Sequence, residues 1–146
     1  MELTDDQLNE NYIKFIDTIK LTCSDRSEEL LRMYSDLEYS LKYSPASSYR
    51  HLHNAFIGGY IDHVLRVLEF TFTVYNTWIT NGLDVSTFTP SELAFSALHH
   101  DLGKLGFAGD DLTRYVLNQS EWHRDKLGKE YEINEKIPFT LSQHQS

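Results

Sequence analysis

The chain has 146 residues, a net charge of −9, and 40% hydrophobic and 24% charged residues, the size and balance of one globular domain. That acidity argues against broad, charge-driven nucleic-acid binding, which needs a basic footprint. It leaves room for a nucleotide whose phosphates meet a metal and one or two lysines. Cys23 is the only cysteine, so no intrachain disulfide and no cysteine zinc site is expected, and a cytoplasmic, reducing setting is. The acidic start is not a signal peptide. The longest uncharged, apolar-leaning run, Phe70 to Leu83, is too short and too threonine-rich to span a membrane.

In chain order, Thr4-Asp5-Asp6-Gln7 is a capping box. Leu8, Tyr12, Phe15, Ile16 and Ile19 follow at helical spacing. Ser24 or Ser27 caps an expected second helix with Leu30, Tyr34, Leu37 and Leu41 as its stripe. These N-terminal helices take up residues 1–43. Ser44-Pro45-Ala46-Ser47-Ser48 is a loop, rich in turn formers. Gly58-Gly59 opens a long helix whose Val64, Val67, Leu68, Thr71, Phe72, Tyr75 and Trp78 form a buried face, and Asn81-Gly82 ends it. Asp84 to Phe88 is β-leaning but short, and reads as a loop. Thr89-Pro90-Ser91-Glu92 is a second capping box with proline at the first helical position. Leu93, Ala94, Ala97 and Leu98 are the apolar stripe of that helix, and Gly103 is its natural terminator.

At the end of that helix stands HHDLGK, residues 99–104. It sets an imidazole beside a carboxylate with a lysine three residues on. Neutral imidazole nitrogen and carboxylate oxygen suit borderline and hard divalent metals. Adjacent helical residues point about 100° apart, so His100 and Asp101 can share an ion most easily at the helix end. The second constellation is HLHNAFIGGYIDH, residues 51–63. His63 lies beside the buried face, where an imidazole needs a partner. That partner is a metal or a backbone carbonyl. His53 sits in a loop that could fold over the site or serve only structure, and His51 reads as an exposed loop residue.

HNAFIGGYIDHVLRVLEF followed by ALHHDLGKLG resembles the HD superfamily of metal-dependent phosphohydrolases, most of all the small HD-domain proteins of tailed bacteriophages, with a looser likeness to HD-type exoribonucleases. The likeness runs from about Pro45 to about Phe139, within an expected motif-bearing region of residues 44–139, with 140–146 as a tail. It implies a single all-α domain, an HD-domain-like helical bundle. By position it implies metal ligands His63, His100 and Asp101, with His99 outside the set. Lys104 matches the motif lysine, which approaches a substrate phosphate or braces the motif aspartate. His123, 22 residues past Asp101, fits the additional histidine of dinuclear sites; otherwise it lies solvated on a surface helix capped by Ser120. Arg124, Lys126 and Lys129 could meet phosphates, but Glu121, Asp125 and Glu130 interleave with them, as on a salt-bridged face. The family's last ligand is an aspartate well downstream, and no Asp follows Asp125. Asp110, Asp111 and Asp125 are the stand-ins, and His144 is a tail residue. A chain without those later helices would expose apolar surface, so a homo-oligomer is expected.

These readings imply hydrolysis of a phosphate ester, in a small-molecule nucleotide. One or two divalent ions (Mn, Fe, Zn, Co or Ni) would be held by His63, His100, Asp101 and His123. Asp101 and Lys104 would be catalytic, and His53, Lys104 and Arg124 would bind substrate. The alternatives are a di-iron oxygenase on the same scaffold, and a non-catalytic or degenerate module, or inactive fragment, that binds metal or nucleotide.

Overall fold

Thr4 opens the first helix as its sequence dictates. Its hydroxyl accepts from the Gln7 N–H, and the Gln7 side chain returns to the Thr4 N–H, satisfying helix-end donors that have no intrahelical partner. In this computed structural model, which describes residues 3–109 and 113–137, helix α1 spans Asp5–Thr22 and buries Leu8, Phe15 and Ile19. The expected second helix is two. A 3-10 turn at Ser24–Arg26 precedes α2 (Ser27–Asp36), and α3 (Glu38–Tyr43) follows a break at Leu37. Neither serine caps α2: Arg26 stands at its N-cap without a side-chain bond. Tyr34 and Leu41, on either side of the break, are both fully buried.

Helix α4 (Gly59–Thr80) begins after Gly58 in the left-handed region at φ +79 and ends at Asn81. Helix α5 (Pro90–His99) carries the second capping box in full: the Thr89 hydroxyl accepts from the Glu92 N–H while the Glu92 carboxylate accepts from the Thr89 N–H. We expect Thr89→Ala to cost about 1 kcal/mol, seen as a fall of about 2–4 °C in Tm. Gly103 does not terminate α5. It lies inside a 3-10 turn, Leu102–Leu105, that ends at Gly106. Trp78, expected on the buried face of α4, is 44% exposed, because α4 extends past the helices that cover its first turns.

The core gathers Phe15, Ile19, Tyr34, Leu41, Tyr60, Ile61, Val64 and Leu98 between α1, α2, α3, α4 and α5. Each such side chain contributes about 1.5–3 kcal/mol by leaving water. The main packing is α4 on α5, with α1 lying against both.

The expectation of an all-α fold is corrected in one respect. The described residues form a mostly helical single domain, six α-helices with a two-stranded antiparallel hairpin. Strand β1 (Tyr115–Leu117) pairs with β2 (Tyr131–Ile133) in the register Tyr115–Ile133, Val116–Glu132 and Leu117–Tyr131, and α6 (Glu121–Leu127) lies in the connection. Three-residue strands are too short for an alternating pattern to be legible. The hairpin clamps the 44–58 loop. Arg50 N–H donates to Gly128 O at 2.7 Å, Tyr131 N–H donates to Ser48 O at 3.0 Å, and the Arg50 guanidinium pairs with Glu130 at 2.6 Å. Among the described residues no helix is long and apolar enough to cross a membrane. Residues 138–146, including the expected tail and His144, lie outside the described residues, as do Asp110 and Asp111.

Candidate metal centre

Two helix ends supply the site. Helix α5 stops at His99, His100 is its C-cap residue, and Asp101 stands at the N-cap of the following 3-10 turn at φ −109, ψ 15. Leaving the helix there lets two neighbouring side chains converge: His100 Nε2 lies 3.3 Å from Asp101 Oδ2. His63 comes from the first turns of α4. Its Nε2 lies 3.1 Å from Asp101 Oδ2 and 3.2 Å from His100 Nε2. Lys104 Nζ donates to the same carboxylate oxygen at 2.8 Å.

His53 is brought in by its loop. Asn54, at φ +50, donates from Nδ2 to Gly59 O at 3.0 Å and to Asp62 Oδ2 at 2.6 Å. The Ser47 hydroxyl donates to His53 O at 2.6 Å, and Ala46 N–H donates to Asn54 O at 3.0 Å. With the backbone pinned on both sides, the His53 ring lies over the His63 ring, centroids 4.4 Å apart. His53, His63 and Asp101 each offer a ligand atom, all within 4.8 Å of one another. His53, expected as a substrate-binding residue, therefore stands among the groups that could hold a metal.

The electrostatics follow from burial. The Asp101 side chain is 1% exposed. Burial pushes its pKa up, but hydrogen bonds from His63 and Lys104 and the lysine charge outweigh that and hold it well below the usual carboxylate range. Burial, followed by the neighbouring His63 and Lys104, lowers the pKa of His53, which keeps its imidazole neutral and able to ligate. His100 Nδ1 lies 2.8 Å from Ala97 O. A carbonyl can only accept, so Nδ1 carries the hydrogen and Nε2 presents its lone pair to the cluster. This is the outer-shell arrangement that orients ligating histidines.

These donors could hold a metal ion. Ligands at about 2.1 Å from an ion lie about 3.0 Å apart at an octahedral edge and about 3.4 Å apart at a tetrahedral one, and the His63–His100–Asp101 triangle falls between them. The second Asp101 oxygen, Oδ1, is buried without a hydrogen-bond partner among the described residues. A buried carboxylate oxygen left in that state is costly, and a cation beside the group offsets the cost. The hydroxyl of the fully buried Tyr60 is likewise unpartnered, and burial, then the charges of Tyr34 and Asp101, push its pKa upward.

The remaining sequence candidates lie elsewhere. His99 turns into the core: its Nδ1 donates to Phe95 O at 2.6 Å and its ring stacks on Phe95. His51 is exposed beside Tyr49. Ser120 caps α6 as expected, but His123 is exposed there with its ring against Trp122, and no described contact joins it to the cluster. The Arg124 guanidinium donates to the backbone carbonyl of Asn118 within its own loop. Asp125 is exposed on the same helix. The residue whose part was not foreseen is Asn54, which holds the loop to α4. Its signal was its place between His53 and the double glycine. Comparison of the chain with protein-family models, curated proteins and solved structures finds no match.

Proposed function

We propose that this chain is a metal-dependent phosphohydrolase of the HD type, acting on a phosphate ester of a nucleotide. The observation that carries the reading is the triangle of His63 Nε2, His100 Nε2 and Asp101 Oδ2, with sides of 3.1–3.3 Å, built from segments 37 residues apart in sequence. His63, His100 and Asp101 would hold one divalent ion, with His53 as a further ligand. Such an ion would acidify a bound water and polarise a phosphoryl oxygen. Asp101 would orient the attacking water, and Lys104 would keep Asp101 ionised and aimed. His53, at the open side of the cluster, would face the substrate.

Metal content after loading with manganese, iron, zinc, cobalt or nickel tests this. About one ion per chain is expected, lost in His63→Ala and His100→Ala and kept in His123→Ala. The loaded protein should hydrolyse a phosphate ester in a nucleotide panel, and His100→Ala should not. Full metal-dependent turnover by His100→Ala would overturn the assignment. A second reading, a metal-binding module without turnover, is favoured by one observation: Lys104 is engaged by Asp101 and Arg124 by Asn118, so the two cations expected to bind substrate already hold other partners. Tight metal binding with no hydrolysis across the panel would select it.

A further inference from the structure

We propose that the outer half of α4 is a homodimer interface, in which two copies cross about a two-fold axis at Val74. The fourteen residues 70–83 carry no Asp, Glu, Lys or Arg, in a chain of net charge −9. Two copies of so acidic a protein repel, and this face lets them approach without setting carboxylates against each other. It is also apolar and open: Phe70 is 69% exposed and Trp78 44%.

The threonine hydroxyls on this half-helix and the Asn81 amide just past its end are already satisfied. Thr71, Thr73, Thr77 and Thr80 each donate their hydroxyl to the carbonyl four residues back at 2.7–2.9 Å, and Asn81 Nδ2 donates to Thr77 O at 2.7 Å. Such back-bonding consumes hydroxyls that would otherwise need water. Burying this face therefore leaves few polar groups unpaired.

The pattern is self-complementary. Phe70, Val74 and Trp78 form one row at spacing of four, the ridge that interdigitates when two helices cross at about −50°. With the axis at Val74, Phe70 of each copy meets Trp78 of the other, the reciprocal contact an isologous interface requires. Beside the row is a recess of about 240 Å³ between α4, Phe88 and Leu93, room for an aromatic ring from the second copy. About three helical turns of contact lie at the small end of specific interfaces, so a dissociation constant of about 10–100 µM is expected.

Sedimentation equilibrium of the full chain, up to about 200 µM, tests the proposal. We expect reversible dimerisation, weakened at least tenfold in Phe70→Glu with unchanged helical circular dichroism. Val74→Cys should cross-link to itself on mild oxidation, and adding Phe70→Glu should suppress this. Cys23 is fully buried, so the unsubstituted chain is the negative control. A protein that stays monomeric throughout the range, or a dimer that survives Phe70→Glu, overturns the interface. A dimer lost in Phe70→Glu but not cross-linked through Val74→Cys overturns the register.

Discussion

Asp101→Asn is expected to abolish metal binding while leaving the protein folded. The substitution keeps the volume and removes the charge at the point where His63, His100 and Lys104 converge at 2.8–3.3 Å. Losing an outer-shell partner of a metal site costs about 10–100-fold in affinity, and losing the only carboxylate of this cluster should cost more. Asparagine also leaves the Lys104 ammonium, whose side chain is 17% exposed, without its counter-charge. Hydrogen bonds to charged groups contribute about 1.5–3 kcal/mol, and breaking a buried pair costs about 3–5 kcal/mol. Residual solvent at Lys104 screens part of that, so about 2 kcal/mol of lost stability is expected in the metal-free protein. His100→Ala should lose metal equally with a smaller change in stability, since Asp101 and Lys104 remain paired. Metal titration and denaturant unfolding of the two variants separate ligation from packing. Normal metal affinity in Asp101→Asn would place the ion elsewhere.

Gly59→Ala is expected to be among the most destabilising single-methyl additions in the chain. A Cβ at Gly59 would lie 2.2 Å from the backbone oxygen of Asn54, 3.0 Å from its carbonyl carbon and 3.1 Å from its Cβ. These atoms cannot step aside cheaply. The Asn54 oxygen accepts from Ala46 N–H, and its side chain holds Gly59 O and Asp62. Overpacking of this kind costs about 3 kcal/mol, a fall of about 6–12 °C in Tm for a chain of this size. The damage should reach the site, because the displaced loop carries His53 and the displaced helix start carries His63. Metal affinity should therefore fall with stability. Gly82→Ala is the control. Gly82, unlike the helical Gly59, has positive φ, +75, but no atom lies within 4 Å of an added Cβ, so only the backbone cost of about 1–2 kcal/mol applies. A Gly59→Ala protein that melts with the parent would show that Asn54 does not approach α4 this closely.

Much of the helical frame was legible because its signals are local. Thr4 with Gln7 and Thr89 with Glu92 announce helix starts within four residues, and both boxes form. The double glycine opens α4 and Asn81-Gly82 closes it. Misreadings arose where tertiary packing outweighs local preference. Leu37 interrupts a continuous apolar stripe, Gly103 sits inside a turn rather than ending a helix, and Trp78 faces outward because α4 outruns its cover. The hairpin was missed because its strands are short and a helix separates them.

The same division runs through the site. Residue chemistry pointed to His100 beside Asp101 with a lysine three residues on and left His63 open between a metal and a carbonyl; the full set with Lys104 came from the motif resemblance. Three matters were decided only in three dimensions. His53 joins the metal-capable group because Ser47, Asn54 and Gly59 bend its loop onto α4. Lys104 is committed to Asp101. His123 and Arg124 stay with α6, one exposed and the other bonded to Asn118. The physical reason is one of range. Caps and helical periodicity act within a turn or two of the chain, whereas the meeting of His53 and His63 with a helix end some 40 residues on depends on the packing of α4 against α5.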